Sequence, residues 1–165
     1  LRYDKISDAK LLQHYKTTIT SIHFPATSLT QQIAKTELVN GLQGLLGQKI
    51  KEVNTQSGNS LVVGTKLLQH VDAGNEGFII KTLKNKTIIT ANTDIGVLYG
   101  VFHFLRLLQT NQSIADLDIT SIPVIQNRIL NHWDNLNRHV ERGYAGISIW
   151  NWHTLPDYID QRYID

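Results

Sequence analysis

Cysteine and methionine are absent from this chain of 165 residues, and proline occurs only three times. The lack of cysteine excludes disulfides, thiolate metal sites and a cysteine nucleophile. No signal peptide is visible at the start of the sequence. Because there is no methionine, Leu1 is not expected to be the natural start, and the sequence is interpreted as a mature or partial chain.

Charge of one sign and long apolar runs are also scarce. Charged residues make up 18% of the chain, the net charge is +2, and no block of Lys and Arg exceeds two residues. This pattern predicts no nucleic-acid partner. No run approaches the roughly 20 apolar residues that span a bilayer, so no membrane partner is predicted either. A hydrophobic fraction of 41% is enough for a normal core. The length indicates one domain, or one domain plus a piece of another.

The first long helix is predicted after the sequence FPATSLTQQ. Ser28 can cap it, with Gln31 three residues on as in a capping box, and Gly47 is a natural stop. A shorter helix is predicted from Asp8 to about Lys16. The apolar spacing assigns the buried face of the long helix to Leu29, Ile33, Leu38, Leu42, Leu45 and Leu46.

The second long helix begins at the sequence ANTD. Asn92 or Thr93 can cap it, and Asp94 is favourable near the positive end of the helix dipole. Gly96 and Gly100 lie one turn apart, which indicates close packing of this helix against a sheet. The predicted buried stripe consists of Ile95, Leu98, Tyr99, Phe102, Leu105 and Leu108.

Short strands lie between the helices. Lys84 and Asn85 form a predicted hairpin turn. Because strands and helices do not alternate strictly, the predicted fold is an α/β (α+β) two-layer sandwich, a mixed sheet with helices packed on one face. The predicted strands are Thr18–Phe24, Ile50–Val53, Ser60–Gly64, Gly77–Leu83 and Lys86–Thr90.

A domain boundary is predicted near Pro123, because residues 110–121 are polar and proline is excluded from central strands. Val124–Leu130 is predicted as a new buried strand that ends in polar and aromatic residues, as strands do at the catalytic rim of a (β/α)8 barrel. Asp157–Asp165 is predicted as the start of the next helix. The predicted domains are residues 1–123 and residues 124–165. The second is the first strand and rim loop of a truncated barrel, which takes about 250 residues when complete.

The stretch from Arg128 to Trp152, RILNHWDNLNRHVERGYAGISIWNW, contains all three tryptophans with several charged side chains. Flat aromatic faces combined with charged groups suit a sugar acid. Trp150 and Trp152 would face the same way in an extended segment and form a sugar-stacking surface. Alternatively, one ring packs under the loop and the other is exposed. Trp133 follows an apolar strand, so it either packs beneath the rim or contacts a ligand.

The strings RILNHWDNL, ERGYAG, SIWNWHTLP and ANTDIGVLYGVFHFLRLLQT resemble the family 67 glycoside hydrolases, the xylan α-glucuronidases. The resemblance runs through the whole chain. It implies an accessory N-terminal α/β domain, followed by the start of a catalytic barrel. Such enzymes remove glucuronic acid, or its 4-O-methyl ether, from xylo-oligosaccharides with inversion and without a metal or other cofactor. The implied partners are glucuronoxylan-derived oligosaccharides, and any homodimer would use regions beyond this chain.

The resemblance also implies substrate-contact roles. Trp150 matches an aromatic that shelters the 4-O-methyl edge of the sugar. Glu141 and Arg142 match a rim loop that holds it, although Arg142 could instead pair with Glu141 or Asp134. The chain departs from similar enzymes at Asn137-Arg138, where many have Asp-Gly, and at Asn151, where Asp is common. The predicted substrate-binding residues are Trp133, Glu141, Arg142, Trp150 and Trp152.

No catalytic residue is assigned within the chain, because the catalytic carboxylates of this family lie on later barrel strands. The chain alone is therefore predicted to be inactive. No metal site is predicted, because His132, His139 and His153 are spaced by seven and fourteen residues, which matches no zinc pattern. A bacterial protein in the periplasm or secreted is predicted, rather than a cytoplasmic one, but no targeting segment decides this. The alternative function is a non-catalytic carbohydrate-binding module that uses Trp133, Trp150 and Trp152.

Overall fold

The computed structural model describes residues 3–55, 58–69, 72–125, 127–129, 137–138, 148 and 150–160. The chain divides into a first compact unit, Tyr3–Val124, and a second that contains Ile125–Asp165. Every helix and strand assigned in the described ranges belongs to the first unit. In chain order these are α1 (Ala9–Thr18), β1 (Ser21–His23), α2 (Leu29–Leu46), β2 (Lys51–Glu52), β3 (Ser60–Thr65), β4 (Phe78–Leu83), β5 (Lys86–Ala91), α3 (Asp94–Gln109) and β6 (Asp118–Ser121).

The six strands form one mixed sheet in the order β2-β1-β3-β5-β4-β6. Strand β1 pairs in parallel with β2 and β3, and β3 pairs in parallel with β5. Strand β4 pairs antiparallel with β5 and β6. Alternate strand residues such as Leu61, Val63 and Ile89 share one core with Leu42 of α2 and Val101 of α3. The predicted mixed sheet with helices is confirmed, and it is consistent with a two-layer sandwich.

The ends of α2 follow from local capping. The Ser28 Oγ accepts a hydrogen bond from the Gln31 N–H at 3.1 Å, as predicted. The Gln31 Oε1 accepts one from the Thr27 N–H at 3.0 Å, one residue before the cap. At the other end Gly47 adopts the left-handed conformation, with φ 64°, that glycine adopts without steric cost.

The buried face of α2 corrects part of the prediction. Leu38, Leu42, Leu45 and Leu46 are buried, as predicted. Leu29 and Ile33 are 74% and 51% exposed, so their assignment to the core is wrong. Gln31 and Ala34 take the buried positions in the first turns instead, and the Gln31 Nε2 donates to the Asp94 Oδ1 of α3 at 2.5 Å. The contact between the starts of two helices therefore replaces the expected apolar packing.

Helix α3 is capped by Thr93, whose Oγ1 accepts from the Gly96 N–H at 3.2 Å. Gly96 and Gly100 pack closely on the sheet, as predicted. A Cβ on Gly96 would lie 2.5 Å from the Gly77 carbonyl oxygen, and one on Gly100 would lie 2.7 Å from the Ile89 Cγ2. Because the glycine side of the helix is the side that meets the sheet, the buried stripe is rotated from the predicted one.

The core face of α3 consists of Gly96, Val97, Gly100, Val101, Phe104, Leu105 and Leu108. Of the predicted stripe, only Leu105 and Leu108 are fully buried. Leu98 and Tyr99 are partly buried and pack against the core. Ile95 and Phe102 are partly exposed and lie outside the core cluster.

The predicted hairpin is present, since Leu83 pairs with Lys86 across the two-residue turn. The strand predicted over Thr18–Phe24 is shorter, because Thr18 still belongs to α1. Strand β6 was not predicted. It is an edge strand of alternating exposure, and Asp118 within it forms an ion pair with Lys81 at 3.0 Å.

The strand predicted over Val124–Leu130 is not found in its described residues, none of which is in a strand. Val124 and Ile129 are 93% and 87% exposed, so these two apolar side chains are not buried. Residues 157–160 are likewise not helical, in contrast to the prediction, and Trp152–Asp157 forms turns. Among the helices of the described ranges, none has the length and apolar character needed to cross a membrane.

Candidate functional site

The second unit brings together two of the predicted substrate-binding residues, Trp150 and Trp152. Their ring centroids are 6.1 Å apart and the ring planes meet at 74°. Trp150 is half-buried, whereas Trp152 is 39% exposed. The rings therefore form an edge-to-face corner and do not face the same way, as they would in an extended segment. Whether either ring contacts a substrate stays a prediction.

A turn begins at Asn151, between the two tryptophans, and its central residues are Trp152 and His153. The Asn151 side-chain oxygen accepts from the His153 N–H at 3.2 Å, and its carbonyl oxygen accepts from the Thr154 N–H at 3.2 Å. Side chains two residues apart share a face only in an extended segment. Because this segment turns, the alternation rule does not apply to the tryptophan pair.

Arg138 and Ser148 are linked immediately before this corner. The Arg138 Nε and Nη2 both donate to the Ser148 carbonyl oxygen, at 3.1 and 2.8 Å. The Ser148 N–H donates in return to the Arg138 carbonyl oxygen at 2.8 Å. The Ser148 Oγ accepts from the Trp150 N–H at 3.0 Å. A continuous path of hydrogen bonds thus runs from Arg138 to the aromatic corner.

Sequence reasoning did not select Arg138 or Ser148 as site residues. The available signal was the departure at Asn137-Arg138, which did not predict these contacts. The other predicted residues, Trp133, Glu141 and Arg142, lie outside the described residues, as do Asp134, His132 and His139.

The first unit contains a hollow of about 250 Å³ beside α3, which no prediction anticipated. The rings of Phe78, Tyr99 and Phe102 line it together with His103, Arg106 and Ser121. Burial, and then the neighbouring Arg106 guanidinium, lowers the pKa of His103. The neutral His103 ring accepts a hydrogen bond from the Arg106 Nη2 through Nδ1 at 3.0 Å.

Among the described residues, no group of three or more His, Cys, Asp or Glu side chains lies close enough together to hold a metal ion.

Solved structures are similar to parts of this chain at low sequence identity. A family GH138 enzyme targeting pectin rhamnogalacturonan II matches with a TM-score of 0.53 and 16% identity, over 67% of this chain and 12% of that chain. A family GH115 4-O-methyl-alpha-glucuronidase with specificity for decorated arabinogalactans has a TM-score of 0.45 and 17% identity, over 55% of this chain and 13% of that chain.

Several fungal proteins are similar in sequence. Alpha-glucuronidase A of Emericella nidulans is 28% identical over 174 residues, covering 92% of this chain and 20% of the relative. Probable alpha-glucuronidase A of Aspergillus oryzae is 33% identical over 128 residues, covering 70% and 15%. The protein of the same name from Aspergillus fumigatus is 29% identical, covering 71% and 15%. The chain therefore spans 15% to 20% of the length of these relatives.

Two family models match adjoining parts of the chain. The Glycosyl hydrolase family 67 N-terminus model matches residues 1–104. The Glycosyl hydrolase family 67 middle domain model matches residues 107–165. Since the first covers more than half of the chain and the second covers most of the remainder, the chain belongs to glycosyl hydrolase family 67.

Proposed function

We propose that the protein containing this chain is an inverting α-glucuronidase. It removes glucuronic acid, or its 4-O-methyl ether, from xylo-oligosaccharides produced during xylan degradation. The observation that carries the proposal is the match of both family 67 models along one chain. The names of the similar fungal proteins point to the same activity.

In this proposal residues 1–123 are an accessory domain, and residues 124–165 belong to the start of the catalytic domain and contribute its rim loop. The tryptophan corner offers apolar ring surface to the C–H face of a sugar. Arg142 has a planar fork of donors that matches the carboxylate of a sugar acid. Glu141 accepts from sugar hydroxyls, and Trp133 completes the rim.

The catalytic acid and base are proposed to lie beyond Asp165. Inverting hydrolysis needs two carboxyl groups roughly 6.5–9.5 Å apart, with water between them. We therefore expect the 165-residue chain alone to release no sugar acid. No cofactor is required in this scheme, and any homodimer forms through regions beyond this chain.

The deciding experiment compares the full-length natural protein with the 165-residue chain. Release of 4-O-methylglucuronic acid from aldouronic oligosaccharides is measured for both by chromatography. Release by the full-length protein alone supports the proposal. Release by neither contradicts the enzyme function, and release by the 165-residue chain contradicts the placement of the acid and base.

Substrate contact at the corner is tested by Trp150→Ala in the full-length protein. The loss of a stacked ring should raise KM for aldouronic oligosaccharides by roughly tenfold. Tyr158→Ala is the matched control, because Tyr158 is an aromatic residue of the same unit that is 61% exposed. An equal effect of both changes would indicate a general loss of packing rather than contact with the sugar.

A carbohydrate-binding module is the second candidate, and the exposed ring of Trp152 favours it. In this case Trp133, Trp150 and Trp152 bind xylo-oligosaccharides without catalysis. Calorimetric titration of the 165-residue chain with these oligosaccharides tests it. Measurable binding together with an inactive full-length protein would favour the module over the enzyme.

A further inference from the structure

We propose that Arg138 is a positioning residue, which holds Trp150 in place for the sugar acid by clamping the Ser148 carbonyl. The inference rests on the proposed function, because it is there that Trp150 contacts the sugar. Arg138 does not itself contact the substrate. It acts through Ser148, and it is absent from the residues that similarity assigns to substrate binding.

The clamp is a reciprocal link between residues ten positions apart. Two donors of one guanidinium converge on a single carbonyl oxygen, at 3.1 and 2.8 Å. The backbone returns a third hydrogen bond at 2.8 Å. Hydrogen bonds from a charged donor are stronger than neutral ones. Both residues are also half-buried, which limits competition from water.

The backbone conformation of Arg138 indicates that the clamp compensates for local conformational strain. Its φ is 69°, in the left-handed region that residues with a side chain seldom adopt. Such a conformation persists where surrounding contacts fix it. The three hydrogen bonds with Ser148 are contacts of this kind. Arginine therefore occupies a position where glycine would be free of strain. Its side chain adds the two hydrogen bonds to the Ser148 carbonyl oxygen that glycine could not form.

The clamp acts on the proposed site through Ser148. The Ser148 hydroxyl accepts a hydrogen bond from the Trp150 N–H at 3.0 Å. Because Arg138 holds the residue that is bonded to Trp150, the aromatic corner loses less conformational freedom when a sugar binds.

The test uses Arg138→Gly in the full-length protein. Glycine accommodates a positive φ without strain, and it removes the two guanidinium hydrogen bonds of the clamp but keeps the backbone bond. Arg138→Lys keeps the charge but loses the planar fork. Lys84→Gly is the matched control, because Lys84 also has a positive φ, 53°, and lies in the first unit. Steady-state kinetics, the melting temperature and hydrogen exchange of the Ser148 amide are measured for each variant.

Arg138→Gly should raise KM about tenfold and leave kcat within about twofold, because uniform binding is lost rather than transition-state contact. The Ser148 amide should exchange faster than in the wild type, and Arg138→Lys should fall between the two. Lys84→Gly should leave KM and the Ser148 exchange unchanged.

Wild-type KM in Arg138→Gly overturns the positioning role, and so does unchanged exchange at Ser148. A drop in melting temperature that accounts for the KM change would make Arg138 merely structural and also overturn it. If the wild-type protein releases no sugar acid, the proposed function fails and the positioning role falls with it. Faster Ser148 exchange in the glycine variant would still show in that case that the clamp itself exists.

Discussion

Phe104→Ala should destabilise the first unit far more than Phe102→Ala, although helical spacing assigns burial to Phe102. Phe104 is fully buried in the core, with 0% of its surface exposed. Phe102 is partly exposed and lines the hollow beside α3 with Tyr99. The two positions differ by two residues on one helix, so the comparison isolates the face that α3 turns towards the sheet.

The magnitude follows from burial. Removing a fully buried phenylalanine ring costs about 3–5 kcal/mol, because apolar transfer and the remaining cavity both contribute. A partly exposed ring outside the core cluster should cost about 1 kcal/mol. The expected difference between the variants is therefore at least about 2 kcal/mol, which is a large share of the stability of a small domain.

Urea unfolding of the 165-residue chain, followed by far-UV circular dichroism, measures this difference. The assigned helices of the described ranges all lie in the first unit, whereas the three tryptophans all lie after residue 125, so their fluorescence follows the second unit. Phe104→Leu, which keeps most of the volume, is the matched control and should cost less than Phe104→Ala. Equal losses for Phe102→Ala and Phe104→Ala at unchanged m-values would refute the orientation of α3.

Three further predictions concern the first unit. Gly96→Ala should lower the urea midpoint, because overpacking against the Gly77 carbonyl costs about 1–3 kcal/mol and helix propensity returns only about 1 kcal/mol. Burial, and then Glu37, raises the pKa of Tyr3 to about 12 from 10.0. The stabilisation from the protonated Tyr3 is thus complete below pH 10 and is lost as pH rises towards 12, and Tyr3→Phe should flatten this alkaline fall in urea titrations. A chain that ends after residue 106 should lose cooperative unfolding, measured by circular dichroism, because it lacks β6 and three buried apolar residues. A chain that ends after residue 124 should unfold cooperatively. Equal behaviour of the two chains would contradict the packing of β6.

Local signals predicted where elements begin and end. Ser28, Gly47 and Thr93 are where the caps were expected, and the turn at Lys84-Asn85 joins β4 to β5. Each cap or turn depends on hydrogen bonds or dihedral angles within a few residues, so it can be inferred from the local sequence.

The direction of a helix face could not be predicted in the same way. Apolar spacing predicted one stripe on α3 and the structure buries another, because the buried face depends on how closely the backbone approaches the sheet. Gly96 and Gly100 decide it, because their missing side chains allow contact with Gly77 and Ile89. Helical periodicity counts large apolar residues and ignores the smallest ones, so it favoured the outer stripe.

Two strands show how far apolar runs mislead. Strand β6 has alternating exposure and little apolar content, and it forms because β4 offers an antiparallel partner. The more apolar run after Pro123 shows no strand in its described residues. A strand forms only when it pairs with another strand, and the sequence of one segment does not show which strand it will pair with.

The candidate site depends on two backbone features that side-chain identity does not encode. Trp150 and Trp152 meet at 74° beside the turn that begins at Asn151, so a sugar could contact one ring face and one ring edge but not two coplanar faces. Arg138 keeps a left-handed φ without being glycine, and its side chain bonds the carbonyl of the residue that also holds the Trp150 amide. Family resemblance identifies which residues to compare, but it treats Arg138 only as a departure. In the folded chain the same departure supplies two hydrogen bonds to the Ser148 carbonyl oxygen, two residues before Trp150.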